Sequence, residues 1–166
     1  MTVLQQGPPN GSNTDSLRAP TIRRPIADDL PAIERLLRAS GLPVDGVAEA
    51  LPTFFVALHD AALVGVAGLE VCCDNALLRS VAIAPEWRSR GLGRSLVNHI
   101  IADGESRGLR SLYLLTTTAE HYFPSFGFTR VERDAVPADV RATAEFQGAC
   151  PASATAMRLP LTTPTP

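Results

Sequence analysis

Two spacings of apolar residues alternate along the chain, and each is typical of one kind of secondary structure. Over residues 30–37 and 92–101 the apolar positions recur three or four residues apart. A helix places such positions on one face, so we expect an amphipathic helix in each segment. A shorter helix is expected at residues 47–51.

Short continuous apolar runs follow the first helices and predict strands. The first three runs are separated by short segments that contain His59-Asp60 and Asp74-Asn75, which are typical turn residues. They therefore predict an antiparallel meander over residues 54–58, 63–71 and 77–84. Further strands are expected at 111–116, 128–131 and 153–159, with a short helix near 119–126. The predicted fold class is α+β, a mixed sheet with helices packed on it.

The two ends of the chain differ in composition from the middle. Residues 1–20 are rich in Gln, Gly, Pro, Asn and Ser, and 161–166 consist mainly of Thr and Pro. Such segments bury too little apolar surface to offset the entropy lost on ordering. We therefore expect a disordered tail at 1–20, one folded domain at 21–160 and a flexible C-terminus at 161–166.

Composition narrows the classes of function. The 15 basic residues are all Arg, so lysine-based Schiff-base chemistry and a Walker A phosphate loop are excluded. A net charge of -2 favours neither nucleic acid nor an anionic membrane as a partner. Three cysteines do not make a disulfide scaffold, and no apolar leader is visible, so we expect a cytoplasmic protein.

The most informative segment joins the third predicted strand of the meander to the second long helix. It contains Arg88-x-x-Gly91-x-Gly93, with both glycines at the expected start of the helix. Glycine allows the backbone to turn sharply and approach a ligand closely, and a helix N-terminus attracts anions. The segment therefore predicts a site for a phosphate or diphosphate.

Together with residues 119–128, this turn resembles the GNAT acetyltransferase superfamily. The resemblance covers about residues 21–160 and implies a mixed sheet of about seven strands flanked by about four helices. It also implies acetyl-CoA as cosubstrate, no metal, and a small-molecule amine as acceptor. In that family the glycine turn binds the cofactor's diphosphate and the preceding strand pairs with the pantetheine arm.

Carried over to this sequence, the resemblance assigns one group of residues to the cofactor. The backbone of the strand would meet pantetheine, the turn would hold the phosphates, and an aromatic side chain would pack beside the thioester. These residues are Val81, Ala82 and Ile83 on the strand, Arg88, Ser89, Arg90, Gly91, Leu92, Gly93, Arg94 and Ser95 in the turn, and Phe123.

The acceptor is suggested by a closer resemblance. Segments such as 41–45, 77–81 and 114–120 are similar to ArsN-type N-acetyltransferases associated with arsenic resistance. This resemblance implies an acidic, amino-acid-like acceptor, such as an arsinic or phosphinic analogue of glutamate. The Leu-Thr-Thr strand end is also similar to acetylglutamate-type enzymes, so glutamate itself is the alternative.

Two residues are candidates for proton transfer. Glu70, at the end of a predicted strand, is the candidate general base, although a solvated carboxylate is the more ordinary interpretation. Phe123 stands where many relatives carry a tyrosine general acid. Its neighbour Tyr122 is the candidate acid, although it lies about 100° away around a helix.

Three further residues are candidates for binding the acceptor. Arg79 is a cation in an apolar strand, so we expect it either to face the cleft and bind a carboxylate or to form an ion pair with Glu70 or Asp74. Thr116 and Thr117 end a strand and offer hydroxyl groups to a substrate. For Thr118, a role in capping the following helix is the more ordinary interpretation.

Three classes of function stay open at this point. The first is an acetyl-CoA-dependent N-acetyltransferase, the second a catalytically weak CoA-binding module, and the third a thiol-based arsenic-binding protein. Cys72 and Cys73 adjoin on a strand and point to opposite faces, which makes a two-thiol site from that pair awkward. Edge strands of this kind of sheet can pair two copies of the chain, so a homodimer is one expectation.

Overall fold

The computed structural model describes residues 18–162, which form a seven-stranded sheet with helices on both faces. In spatial order the strands run β1-β2-β3-β4-β5-β7-β6, and only the β4–β5 pair is parallel. The strands are β1 (Thr21–Arg23), β2 (Phe54–His59), β3 (Ala62–Cys72), β4 (Asn75–Ile83), β5 (Ser111–Thr116), β6 (Thr129–Arg130) and β7 (Thr155–Pro160). The α-helices are α1 (Leu30–Ala39), α2 (Val47–Ala50), α3 (Leu92–Ser106) and α4 (Ala138–Arg141).

This architecture confirms the predicted fold class, the meander and the amphipathic helices α1 and α3. Strand β1 has no apolar run of its own, because it is only three residues long, and the pattern did not reveal it. The helix expected near 119–126 is instead a turn followed by a 3₁₀ helix at Phe123–Phe126. Pro124 has no backbone N–H to donate to a longer α-helix.

The predicted tails lie mostly outside the described residues. Residues 1–17 and 163–166 belong to that part, so the tail expectations stay predictions there. Two residues of the expected flexible C-terminus, Leu161 and Thr162, lie within the described part and make hydrogen bonds. The Leu161 amide donates to the carbonyl of Arg110 at 2.9 Å, and Thr162 donates its hydroxyl to Glu105 at 2.9 Å. Within 18–162 no helix has the length and apolarity needed to cross a bilayer.

The hydrophobic core lies on both faces of the sheet. Helix α3 covers one face with Leu96, Val97 and Ile100, all fully buried. On the opposite face, one cluster forms around α1 and α2 and a second around α4. Along β3, alternate residues point to that second face, which places the charged Glu70 between the two apolar clusters.

The parallel strands β4 and β5 pair over only three residues each. The register runs from Asn75 opposite Ser111 to Leu77 opposite Tyr113, and both strands then continue without pairing to each other. The gap between residues 78–83 of β4 and 114–116 of β5 is called the cleft below. Since β5 does not pair with this part of β4, the edge of β4 that faces the cleft makes no hydrogen bonds to another strand.

A β-bulge distorts β4 beside this cleft. Val66 pairs with Ala82 and Gly68 with Arg79, so Ser80 and Val81 together stand opposite Ala67. Ser80 has a φ of 60°, a left-handed conformation that is costly for a residue other than glycine. The bulge places the Arg79 and Ser80 side chains on the same side, where Arg79 Nε donates to Ser80 Oγ at 3.1 Å.

Gly68 is predicted to be essential for packing β3 against β2. A Cβ at this position would overlap the ring of Phe54, its fully buried cross-strand partner. We expect Gly68→Ala to lower the free energy of unfolding by about 1–3 kcal/mol. Urea unfolding of Gly68→Ala, Phe54→Leu and the double variant measures this. The smaller side chain should relieve the overlap, and strictly additive effects would contradict the explanation.

Candidate cofactor and substrate site

The turn from Arg88 to Ser95 connects the cleft to the first turn of α3. Gly91 is the N-cap of α3 with a φ of 83°, and Ser89 has a φ of 62°. A Cβ on Gly91 would meet no atom within 4 Å, so this glycine is required by its conformation and not by crowding. The N–H groups of the first helical turn have no intrahelical acceptor, which makes this helix start suitable for an anion.

Arginine side chains surround this turn, as the sequence predicted. Arg88 Nε donates to the carbonyl of Ile83 at 3.1 Å and ties the turn to the end of β4. The guanidinium of Arg90 lies 5.1 Å from the Trp87 ring centroid, and Arg94 and Ser95 are exposed on the first turn of α3. Leu92 is buried, so only its backbone can contact a phosphate.

The predicted pantetheine strand offers its backbone and not its side chains to the cleft. Val81 and Ile83 pack on the α3 side of the sheet, and Ala82 packs against the cluster around α1 and α2. The three residues follow the bulge directly and lie on the edge of β4 that β5 leaves unpaired. Their position matches the geometry expected of a strand that pairs with an extended ligand.

Arg79 lies in a buried charged cluster at the cleft. Its side chain is 0% exposed, and its Nη1 donates to Glu70 Oε2 at 2.8 Å. The ion pair with Glu70 that the sequence suggested as one alternative is therefore present, whereas Asp74 lies 3.8 Å from Arg110 instead. Among the described residues, Nη2 of Arg79 is buried without a hydrogen-bond partner.

A second carboxylate completes the cluster and was not identified from the sequence. Glu145 is 4% exposed and places Oε1 3.5 Å from Arg79 Nε. Burial raises the pKa of Glu145, while the charge of Arg79 opposes that shift. Burial and, after it, the charge of Glu145 raise the pKa of the Cys150 thiol. The sequence around Glu145 contains no recognisable motif. The contact between Glu145 and Arg79 joins β4 to an irregular segment more than sixty residues later, so the spacing of residues could not reveal it.

The loop before α2 covers this cluster. Gly46 has a φ of 75°, and a Cβ there would stand 3.2 Å from Arg79 Nη1 and 3.9 Å from Glu70 Oε2. Glycine therefore lets the backbone of this loop lie directly against the ion pair. Glu70 keeps 26% of its side chain exposed, so water can reach part of this side chain.

The threonines at the end of β5 have different roles. Thr116 Oγ1 accepts from the backbone N–H of Ala119 at 2.9 Å and of Thr118 at 3.4 Å. No helix begins directly after Thr118 for it to cap, and Thr116 instead makes the hydrogen bonds to the backbone of the following turn. Thr117 is exposed, and no hydrogen bond involves its side chain within the described part of the chain.

The neighbouring aromatic residues Tyr122 and Phe123 lie in different surroundings. Phe123 is buried and packs against Phe126 and Phe128, with ring centroids 6.3 Å and 5.7 Å away. Tyr122 is 38% exposed, and its hydroxyl oxygen lies 3.3 Å from the position of a Cβ on Gly93. Phe123 therefore belongs to the core at the edge of the site, and Tyr122 lies over the glycine turn.

A comparison with known families agrees with this geometry. Residues 51–130, which include β4, the glycine turn and α3, match the acetyltransferase (GNAT) domain. The chain therefore carries a GNAT acetyltransferase domain. The match covers the cleft strand and the turn but not the segment that supplies Glu145.

Individual proteins resemble this chain over more residues than the family match covers. An amino-acid acetyltransferase of Serratia proteamaculans is 28% identical over 138 residues, which is 78% of this chain and 31% of that protein. The N-acetylglutamate synthase of Neisseria gonorrhoeae, complexed with coenzyme A and N-acetyl-glutamate, has a TM-score of 0.74 at 24% identity, covering 86% of this chain and 35% of that one. Rv2747 of Mycobacterium tuberculosis, solved with CoA, has a TM-score of 0.73 at 26% identity, covering 86% of this chain and 100% of that one. This chain spans less than a third of the length of the Serratia relative.

The GNAT domain holds no cluster of three or more His, Cys, Asp or Glu side chains suited to a metal ion within residues 18–162. Its three cysteines are free thiols. Burial raises the pKa of Cys72 to about 12 and that of Cys150 to about 11, whereas Cys73 is exposed. A thiol with a raised pKa stays protonated at neutral pH and reacts slowly.

We predict that the native protein has a single fast-reacting thiol at pH 8. A pKa of about 12 for Cys72 and about 11 for Cys150 leaves almost no thiolate at those positions. Reaction with Ellman's reagent should therefore show one fast equivalent, which Cys73→Ser removes. A fast phase that survives in Cys73→Ser would contradict this assignment, and full reaction in denaturant gives the total.

We also predict that Gly91→Val removes CoA binding while the domain stays folded. Valine strongly resists the φ of 83° at this N-cap, so the turn must rearrange. Gly108→Val is the matched control, since Gly108 also has a positive φ of 71° and open space around it but lies at the far end of α3. Isothermal titration calorimetry should show at least a tenfold loss of CoA affinity for Gly91→Val only. Equal affinities in the two variants would refute a binding role for this turn.

Proposed function

We propose that this protein is an acetyl-CoA-dependent N-acetyltransferase acting on the amine of a small acidic amino acid. The observation that carries the proposal is the separation of β4 from β5, which leads directly into the glycine turn of α3. An extended cofactor can lie along β4 with its diphosphate at the helix start. The GNAT domain match and the CoA complexes of structural neighbours support acetyl-CoA as cosubstrate.

The substrate class is supported by the charged cluster. Arg79 is paired with Glu70 and Glu145, and its remaining Nη2 has no partner among the described residues. A carboxylate of the acceptor would accept a hydrogen bond from this donor. Thr117, which directly follows β5, offers an exposed hydroxyl group as a second contact for the acceptor. The relatives named amino-acid acetyltransferase support the same class.

Within this class we propose the glutamate skeleton, with an arsinic or phosphinic acid analogue ahead of glutamate itself. The ArsN-like segments 41–45 and 77–81 support the analogue, and they contain or adjoin the loop and strand that enclose Arg79. The named relatives and the N-acetylglutamate synthase fold support glutamate. A role in arsenic resistance follows only if the analogue is the better substrate.

The first chemical step is removal of a proton from the substrate ammonium. An amine with a pKa near 10 is mostly protonated at pH 7, and exposing its lone pair costs about 4 kcal/mol. We propose that Glu70 accepts this proton through water, since its Oε2 is bound by Arg79 and part of the side chain stays exposed. The neutral amine then attacks the thioester carbonyl and forms a tetrahedral intermediate.

The second step is expulsion of the CoA thiolate. We propose that a backbone N–H group of β4 near residues 81–83, on the edge that β5 leaves unpaired, donates to the oxyanion. A thiol with a pKa near 8.5 leaves as thiolate at a cost of about 2 kcal/mol at pH 7. Phe123 has no proton to donate, and this small cost allows the reaction to proceed without an acid there.

A catalytically weak CoA-binding module is the second candidate function. It is favoured by the absence of a tyrosine at position 123 and by the engagement of Glu70 in an ion pair. Steady-state release of CoA in the presence of amino acids separates the two candidates. We further propose a cytoplasmic location. A homodimer also stays a proposal, and the edge strands β1 and β6, which would pair two copies, are three and two residues long.

The proposed substrate class predicts that the acceptor's second carboxylate is required. CoA release should be measured with glutamate, its phosphinic and arsinic analogues, glutamine, 2-aminopentane and a polyamine. Loss of a charged hydrogen bond in a partly desolvated site lowers kcat/KM by roughly 30- to 1000-fold for the neutral acceptors. Preference for the polyamine would refute the assignment. This arm needs no variant, so it does not depend on whether Arg79 variants fold.

The matching protein variant is Arg79→Lys, which keeps the charge but loses the planar guanidinium. We expect a similar 30- to 1000-fold loss of kcat/KM for the acidic acceptor, with the KM of acetyl-CoA nearly unchanged. Arg110→Ala is the control, because Arg110 is exposed and precedes β5 at the end away from the cleft. Unaltered kinetics of a folded Arg79→Lys variant would show that Arg79 is structural only.

A further inference from the structure

The hydroxyl of Tyr122 lies beside the first turn of α3. A Cβ built on Gly93 would stand 3.3 Å from Tyr122 Oη. In an α-helix the Cα–Cβ bond tilts toward the N-terminus, so an atom this close to it lies on the side where the free N–H groups emerge. The second glycine of the turn therefore makes room for a hydroxyl that comes from a different element.

Several contacts hold Tyr122 in this place. Its ring meets those of Phe123 and Phe126 edge-on, with centroids 5.4 Å and 5.3 Å away. Ser125 donates its hydroxyl to the Tyr122 carbonyl at 2.7 Å and accepts from Arg94 Nη2 at 2.9 Å. The Arg94 guanidinium also lies 4.7 Å from the Phe126 ring centroid. Arg94 thus connects the first turn of α3 to the turn that carries Tyr122.

The Tyr122 hydroxyl has the properties of a donor without an acceptor. It is partly exposed and makes no hydrogen bond within residues 18–162. Burial raises the pKa of Tyr122, against the opposing charge of Arg94, so the group stays protonated at neutral pH. The phenol is thus a donor that lies beside the first-turn N–H groups of α3, and Arg94 belongs to the same helical turn.

We infer that Tyr122 binds the cofactor by donating its hydroxyl to the diphosphate of acetyl-CoA. This inference rests on the proposed function, because it assumes that the glycine turn holds the diphosphate. It also replaces the role of general acid suggested for Tyr122 by the sequence. A general acid must reach the sulfur, which is separated from the diphosphate by the whole pantetheine arm, and the contact with Gly93 places Oη at the diphosphate end.

The first experiment compares Tyr122→Phe with Tyr113→Phe, which removes the chain's other tyrosine hydroxyl from the buried cluster around α4. Calorimetry with CoA should show roughly a tenfold weaker affinity for Tyr122→Phe and an unchanged affinity for Tyr113→Phe. Affinity for acetyl-pantetheine, which lacks the diphosphate, should be the same in both. At saturating acetyl-CoA, kcat and its pH profile should match the wild type.

A second experiment tests the contact itself through Gly93→Ala. Alanine suits this helical position, and its Cβ would be 3.3 Å from Tyr122 Oη and 3.6 Å from Ile83, tight only at the hydroxyl. We expect Gly93→Ala to weaken CoA binding several-fold by displacing Tyr122. In the Tyr122→Phe background the same change should have little further effect, because the atom that it displaces is gone.

Two outcomes would overturn the inference. Unchanged CoA affinity of Tyr122→Phe would remove the hydroxyl from the cofactor site. A large fall in kcat with unchanged CoA affinity, and with loss of the alkaline limb of the kcat profile, would restore the general-acid role. Failure of the proposed function gives a different result, because Gly91→Val would then bind CoA normally. If only the inference about Tyr122 fails, Gly91→Val still binds CoA weakly.

Discussion

Strands β4 and β5 pair over only three residues each, and the candidate site depends on that early separation. Parallel strands normally continue to share hydrogen bonds, so the free edge of β4 has unsatisfied backbone groups that a ligand can pair with. The bulge at Ser80 lies on the same strand and turns its side chains relative to β3. One irregular stretch of backbone thus supplies the wall of the cleft and the position of Arg79.

The charged cluster lies at a place where apolar packing would stabilise the fold more. Arg79, Glu70 and Glu145 lie on a face that is otherwise apolar, between the clusters around α1 with α2 and around α4. Removing charges from water is costly, and a buried ion pair contributes little net stability compared with apolar packing. Within residues 18–162 one guanidinium nitrogen of this cluster has no hydrogen-bond partner, which supports our proposal that the cluster binds a ligand.

Local chemistry explains why some of the site could be predicted from the sequence. The Arg88-x-x-Gly91-x-Gly93 pattern specifies its own structure, because a positive φ at the N-cap and a helix start are properties of adjacent residues. Arg79 was noticed for a similar reason, as a cation among apolar strand residues. The sequence left two interpretations of Arg79 open, and the structure contains the ion pair with Glu70.

The rest of the site depends on contacts between distant segments. Glu145 meets Arg79 across sixty-six positions of the sequence and lies in a π-turn without a recognisable motif. Tyr122 is placed over Gly93 by a turn and a 3₁₀ helix, where an α-helix had been expected, so its direction could not be obtained from helical geometry. Both residues come after the glycine turn, in the segments that pack around β5 and β7.

The two ends of the cleft therefore differ in how they are built. The proposed cofactor end consists of backbone N–H groups and glycines, whose positions follow from one continuous segment, and Arg94 joins it to Tyr122. The proposed acceptor end consists of side chains from β3, β4 and the segment after α4, covered by the loop that contains Gly46. Side chains from separate segments can change independently of the glycine turn, so one cofactor site can serve different acceptors. This division explains why one turn indicates the family, whereas the proposed acceptor depends on Arg79 and its partners from distant segments.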